Sequence, residues 1–309
     1  MLISGFTMVK NAEKLYYPLK ESILSILPIV DEYIIALGDC DDDDDTLRMI
    51  QEINSPKIKI FNTKWDVKEY AKGSILAYQT DIAKEQCSGK WLFYLQADEV
   101  VHEKDLETIV STCKKYSGDN MIEGLLFRYI HFWGDYNHAF TNNHEWYRNE
   151  IRIVRNRPEI HSWRDAQSFR VIPNFTKSKY LEKEGTRKLN VARVNAKIYH
   201  YGWVRPPKLM GKKITKFINC YKETTEIISE IEYGPLGRIP LFTDSHPNIM
   251  QSKINDFNWS KDLNYSSIRK SNEPIHKHDK LKYRLLSKVE RLFFKNGLFT
   301  FKNYTLIRK

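Results

Sequence analysis

The sequence predicts an α/β fold: a mostly parallel sheet flanked by helices, with a helical and irregular C-terminal extension. Three observations predict it. Short apolar strand-like runs alternate with helix-length periodicities over the first 115 residues, the pattern of βαβ units. An aromatic run, Trp91-Leu92-Phe93-Tyr94-Leu95, reads as a buried strand and stops abruptly at Gln96-Ala97-Asp98-Glu99. Beyond about residue 121, strand-like segments recur with aromatic-rich loops between them. The expected division is a domain over 1–205, with halves 1–115 and 116–205, and an extension over 206–309.

The elements follow in order. Residues 2–9 alternate as a first strand. Leu15, Leu19, Ile23, Ile26, Leu27 and Val30 have helical spacing, ended by Pro28 and Asp31. Residues 33–37 form a second strand closed by Gly38-Asp39, residues 46–53 a short helix, and residues 57–61 a third strand. Ile75, Tyr78, Ile82 and Ala83 give a helix its apolar face, and Gly89 closes it before the strand at 91–95. Leu106, Ile109, Val110 and Cys113 mark another helix. Residues 121–133, 150–154 and 191–203 read as strands, Pro206-Pro207 stops the last of them, and 208–231 is helical in pattern. Residues 233–275 are rich in Gly, Pro, Asn and Ser and read as irregular.

Composition excludes several classes. With 41% apolar and 13% aromatic residues, the 309-residue chain can build a core and is not a disordered composition. Four widely spaced cysteines make neither a disulfide framework nor a zinc motif, which favours a reducing, cytoplasmic setting. The N-terminus reads as a strand rather than a signal peptide, and the best apolar stretch, 23–37, is broken by Pro28, Asp31 and Glu32. Residues 277–309 carry ten Lys and Arg against two acids, +8 of the chain's +10. The body is thus near neutral, which excludes a nucleic-acid footprint. In the tail, Leu281, Tyr283, Leu285, Leu286, Val289, Leu292, Phe293 and Phe294 interleave the basic residues. That pattern reads either as a solvated end or as an amphipathic helix for peripheral membrane contact.

Acids at the carboxyl ends of strands in an open α/β sheet stand where ligands bind. Asp98 ends the 91–95 strand, and six Asp occupy the seven positions 39–45 after the second. The Asp run reads as a solvated acidic loop or as a base-binding element. It is not an EF-hand loop, because Asp44 stands where Gly is needed and Ile50 where Glu is needed.

In order along the chain stand Lys10-Asn11-Ala12-Glu13 after the first strand, Asp39 and Thr46 seven apart with Asp44 between them, Gly89-Lys90-Trp91, and Gln96-Ala97-Asp98-Glu99. This succession resembles family 2 glycosyltransferases of the GT-A fold, a Rossmann-like sheet. The resemblance spans roughly residues 1–115, weakens over 121–205 and is lost beyond about 235. It implies transfer of a sugar, with inversion, from a nucleotide diphosphate donor (a UDP-sugar favoured) to a glycan or lipid-linked acceptor. It implies that Thr7 lines the base pocket, Asp39 reads the base, Lys72 meets the diphosphate, and Asp98 binds a divalent cation, Mn²⁺ or Mg²⁺. Gln96 replaces the first Asp of the D-x-D element; it can bond a ribose hydroxyl but brings no charge.

A distant ligand then completes the cation site. His200, in Tyr199-His200-Tyr201-Gly202-Trp203-Val204-Arg205, is the candidate, and Arg205 is a candidate diphosphate clamp. An inverting displacement needs a carboxylate to take the acceptor proton. Glu150 and Asp165 are the candidates, Asp165 preferred; both also read as ion-pair partners of Arg152, Arg155 or Arg164. Phe132, Trp133, Trp146, Tyr147 and Trp163 read as core or as a platform for an acceptor sugar. Two rival readings stand beside this one: a nucleotidyltransferase, for which the Ser4–Lys10 loop holds only one Gly and one Lys, and a non-enzymatic binder of nucleotide or glycan, motivated by Gln96.

Overall fold

The computed structural model describes residues 2–140, 146–222, 226–270, 273–293 and 302–308, without the side chains of 288, 291 and 293. The expected alternation is present: β1 (Ile3–Val9), α1 (Leu19–Ile26), β2 (Glu32–Leu37), α2 (Thr46–Gln51), β3 (Ile58–Asn62), α3 (Ser74–Glu85), β4 (Trp91–Tyr94), β5 (Glu99–Val101) and α4 (Leu106–Lys115). There follow β6 (Gly124–Trp133), β7 (Ala139–Phe140), β8 (Asn149–Arg155), β9 (Ile160–Trp163), β10 (Ser168–Val171) and β11 (Arg187–Trp203). The chain then runs through α5 (Pro207–Asn219), α6 (Gln251–Asn255), α7 (Leu281–Phe293) and β12 (Tyr304–Arg308).

One sheet runs β3-β2-β1-β4-β8-β6-β11-β10-β9, with β5 and β12 also paired to β11 and β7 to β6. The first four strands are parallel, in the order of a nucleotide-binding half. β8 runs antiparallel to both β4 and β6, and β6 is again parallel to β11. The second half is therefore mixed. Every residue of β2 and β4 is buried, because helices cover both faces of the parallel half; this is why residues 33–37 and β4 read as unbroken apolar runs.

Three apolar clusters build the core. One lies under α1 and α4 and includes Ile23, Ile35, Phe93 and Ile109. A second, on the opposite face, joins Phe6, Ile34, Ile75 and Tyr94 to Phe169. The third surrounds the ends of β6 and β11 and draws in Tyr233, Leu236, Met250 and Trp259. The Gly- and Pro-rich segment after α5 is irregular in backbone, as its composition predicts, yet it contributes these buried side chains. The helix expected over 208–231 ends at Asn219.

Part of the basic tail lies outside the described residues, namely 294–301 and 309. Of the rest, α7 exposes Leu281, Leu285, Val289 and Leu292, with exposures of 68%, 53%, 46% and 77%. β12 lies parallel to β11, Leu189 beside Tyr304 and Val191 beside Leu306, so the end of the chain belongs to the sheet. No helix among the described residues is long and apolar enough to cross a membrane.

Candidate active site

A cleft of about 1010 Å³ opens where the chain leaves β1 and β4 at their carboxyl ends. Gln96, Asp98, His200 and Asp165 all line it, although 69 positions separate Gln96 from Asp165 and 102 separate Asp98 from His200. Lys10, Asp41, Trp65, Tyr147 and Lys213 complete its polar and aromatic wall.

Asp98 is the electrostatic centre. β4 ends at Tyr94, the chain turns, and the Asp98 carbonyl accepts from Tyr201 N–H at 2.8 Å, which ties the turn to β11. The carboxylate is buried; its Oδ2 accepts from Lys213 Nζ at 2.9 Å and its Oδ1 lies 3.7 Å from His200 Nε2. Burial opposes ionisation, but Lys213, His200 and Arg205 outweigh it and hold the carboxyl far below its usual range. Burial, with Arg205 next, pushes Lys213 down to about 8 against the pull of Asp98. Burial also lowers His200.

The donor set fits a divalent cation completed by a ligand's oxygens. An oxygen and a nitrogen donor face each other across 3.7 Å, too far for a hydrogen bond. Gly202 keeps that space open: a Cβ there would lie 2.5 Å from His200 Nε2 and 2.7 Å from Asp98 Oδ2. Among the described residues no three His, Cys, Asp or Glu side chains gather as a self-sufficient metal site. Mg²⁺ and Mn²⁺ tolerate such sparse protein ligation when phosphate oxygens and waters supply the rest. Gln96 Nε2 donates to the Ala166 carbonyl at 3.3 Å.

Asp165 occupies a tight turn between β9 and β10, where Arg164 and Ala166 on either side both have positive φ, 57° and 59°. Non-glycine residues in that region carry strain. The turn is pinned by Gln96 at Ala166 and by Tyr221 Oη, which donates to Asp165 Oδ2 at 2.7 Å. Glu150 lies elsewhere. It is buried in β8, accepts from Ser168 Oγ at 2.7 Å and Gln167 Nε2 at 3.2 Å, and burial raises its carboxyl. The arginines once in contention have other partners. Arg152 forks onto Glu99 at 2.7 and 2.8 Å, Arg155 donates to backbone carbonyls, and Arg164 lies over the Trp163 ring.

Four further expected residues are not among those lining the cleft. Thr7 is buried inside β1, with its hydroxyl 3.4 Å from the Met8 carbonyl. Asp39 is exposed and accepts from Lys10 Nζ at 2.7 Å and Trp65 N–H at 3.1 Å, which outweigh its partial burial and lower its carboxyl. Lys72 is exposed on the turn before α3, with φ 56°. Arg205 is fully buried, donates to the Leu15 carbonyl at 2.6 Å and lies 4.8 Å above the Tyr17 ring.

The motif around the Asp run acts as a clasp. Thr46 Oγ1 accepts from Ala12 N–H at 2.6 Å, Asp44 from Lys14 N–H at 3.0 Å, and Asn11 Oδ1 from Asp41 N–H at 2.8 Å. These bonds fix the loops after β1 and β2 against each other and present Asp41 to the cleft. Of the aromatic residues, Trp146 and Tyr147 line the cleft, while Phe132, Trp133 and Trp163 are core.

No family model matches the chain, and no curated protein matches it in sequence. Among solved structures, Staphylococcus aureus TarS residues 1–349 in complex with UDP is similar over 43% of this chain and 36% of its own, at 17% identity and a TM-score of 0.30. S. aureus TarS is similar over 71% and 39%, at 12% identity and 0.38. Mycobacterium tuberculosis glucosyl-3-phosphoglycerate synthase, in complex with Mn²⁺, UDP and phosphoglyceric acid, is similar over 43% of each chain, at 17% identity and 0.29. In each of these three the match covers less than half of the solved chain.

Proposed function

We propose that this protein is an inverting glycosyltransferase of the GT-A type, taking a sugar from a UDP-sugar and passing it to a hydroxyl of a glycan or lipid-linked acceptor. The observation that carries the reading is the convergence of Asp98, His200, Lys213 and Asp165 on one cleft at the carboxyl ends of parallel strands. The base end of the donor fits the side of the cleft bearing Asp41 and Trp65. Its diphosphate fits beside Lys213, whose half-buried ammonium, held by Asp98, offers a fixed positive charge. Asp98 Oδ1 and His200 Nε2 would hold Mn²⁺ or Mg²⁺, which supplies charge neutralisation for the departing diphosphate. Asp165 takes the proton of the acceptor hydroxyl, and Trp146 and Tyr147 offer ring faces to the acceptor.

The same reading gives the chain a peripheral contact with the cytoplasmic face of a membrane. Leu281, Leu285, Val289 and Leu292 form an exposed apolar stripe on α7, flanked by Lys282 and Arg284. A basic amphipathic helix of this kind suits anionic lipid.

Thermal melting with UDP, GDP, UDP-glucose and UDP-N-acetylglucosamine, each with Mn²⁺, tests the donor assignment. A ligand that binds only the folded protein raises its melting temperature. The reading expects a rise with UDP and at least one UDP-sugar; no rise with any of them contradicts it.

A further inference from the structure

His131 on β6 lies directly beside His200 on β11, in register across the parallel pair, and is buried. Its Nε2 is 2.8 Å from the Tyr147 carbonyl oxygen, and its Nδ1 is 3.0 Å from His200 Nδ1. A carbonyl oxygen only accepts, so His131 carries a proton on Nε2. The ring is buried and its two nitrogens meet a carbonyl and a second imidazole, neither of them an anion that would hold an imidazolium; at pH 8 the ring is neutral, and with its proton on Nε2 its Nδ1 is an acceptor. The hydrogen between the two rings therefore belongs to His200. A neutral His200 with its proton on Nδ1 has a bare lone pair on Nε2, the atom that faces Asp98 Oδ1.

We infer that His131 is a positioning residue that locks His200 in the Nδ1–H tautomer, so that the His200 Nε2 lone pair faces Asp98 as a ready cation ligand. The tautomer is a property of the protein alone; its use in holding a cation rests on the glycosyltransferase reading. A partner that accepts the second N–H of a ligating imidazole fixes the ring and raises its basicity, and its loss costs about 10- to 100-fold in metal affinity. The surroundings favour a single arrangement. Trp146 stacks on the His131 ring at 5.4 Å and Tyr147 meets it edge-on at 5.1 Å. Both aromatics line the cleft, so the segment that lines the site also supplies the carbonyl that sets the first tautomer.

The test uses the full chain labelled with ¹⁵N-histidine, free of metal, at pH 8. Long-range ¹H–¹⁵N correlation is expected to give His131 as Nε2–H and His200 as Nδ1–H. His131→Phe removes the acceptor and should release His200 to a mixture of tautomers. His131→Asn, whose amide oxygen can stand in for Nδ1, should restore it. Mn²⁺ binding in the presence of UDP, read by electron paramagnetic resonance, should weaken about 10- to 100-fold in His131→Phe and recover in His131→Asn. His200 found as Nε2–H in the wild type, or unchanged by His131→Phe, overturns the inference. Failure of the wild type to bind Mn²⁺ with UDP would instead count against the cation in the proposed function, while the tautomer pattern still decides the role of His131.

Discussion

Lys213 Nζ lies 2.9 Å from Asp98 Oδ2 and 2.8 Å from the Gly202 carbonyl, a half-buried ammonium held between the end of β4 and the end of β11. The pair joins residues 115 positions apart and sets an ammonium against a carboxylate in the wall of the cleft. Lys213→Met keeps the length of the side chain and removes the charge. It should weaken UDP binding by about tenfold or more, the worth of one charge-assisted contact, as measured by titration calorimetry. An unchanged dissociation constant would separate Lys213 from the donor.

The two candidate bases differ in placement, and their variants should differ in effect. Asp165→Asn should lower sugar transfer by about 10² to 10⁴ while leaving UDP affinity nearly constant, because the contact is to the acceptor. Glu150→Gln should leave the chemical step alone, since its carboxyl is buried in β8 on Ser168 and Gln167. Single-turnover transfer with each variant distinguishes the roles, and full transfer by Asp165→Asn would leave Asp165 as the partner of Tyr221 only.

Glu32 predicts an acid limb of stability. Its carboxylate is buried and accepts from Ser4 Oγ at 2.8 Å, Ser88 N–H and Oγ at 2.7 Å each, and Lys59 Nζ at 2.8 Å. Burial raises its pKa, but these donors together outweigh it and lower it from 4.5 to about 2. Because the folded value is the lower one, the stabilisation is present above pH 4.5 and is lost as pH falls towards 2. Glu32→Gln should cost about 2 to 3 kcal/mol at pH 7 and flatten that limb, read by urea unfolding across pH.

How much of this was legible in the sequence depends on what each residue had for neighbours. The parallel half was legible because buried residues 33–37 of β2 and all of β4 are apolar and give way to polar turns, so Gln96, Asp98 and the Asp run stood out. His200 was legible only through the resemblance, which asks for a distant cation ligand late in the chain; the space that the missing Cβ of Gly202 leaves beside it depends on packing. Lys213 was not. It follows Lys212 on an amphipathic helix, where a lysine ordinarily faces water, and only the packing of α5 against the end of β11 brings it to Asp98. Arg205 has the chemistry of a phosphate clamp, yet burial hands one of its donors to the Leu15 carbonyl. His131 was hidden within an aromatic strand, because its role depends on register with β11. The short strands β5, β7, β9, β10 and β12 lack the length for a periodic signal; β5, β10 and β12 pair with β11, β7 with β6, and β9 with β10.

The exposed stripe of α7 predicts lipid binding that can be removed without touching the sheet. Leu285→Asp with Leu292→Asp should reduce sedimentation with phosphatidylserine-containing vesicles several-fold and leave UDP binding intact. The wild-type interaction should also weaken as salt is raised, because its basic flanks act through screened charge. Binding unaltered by either change would contradict a peripheral membrane contact through α7.

The central claim is that the cleft around Asp98 binds and activates a nucleotide-sugar, and its most direct measurement is release of UDP from UDP-sugars by wild-type protein and by Asp98→Asn. The account predicts slow UDP release by the wild type with at least one UDP-sugar in the presence of Mn²⁺. It predicts a loss on the order of 100-fold or more in Asp98→Asn, about 3 kcal/mol of barrier, with the variant still folded. Equal release by the two proteins, or no release by the wild type from any UDP-sugar, would contradict it.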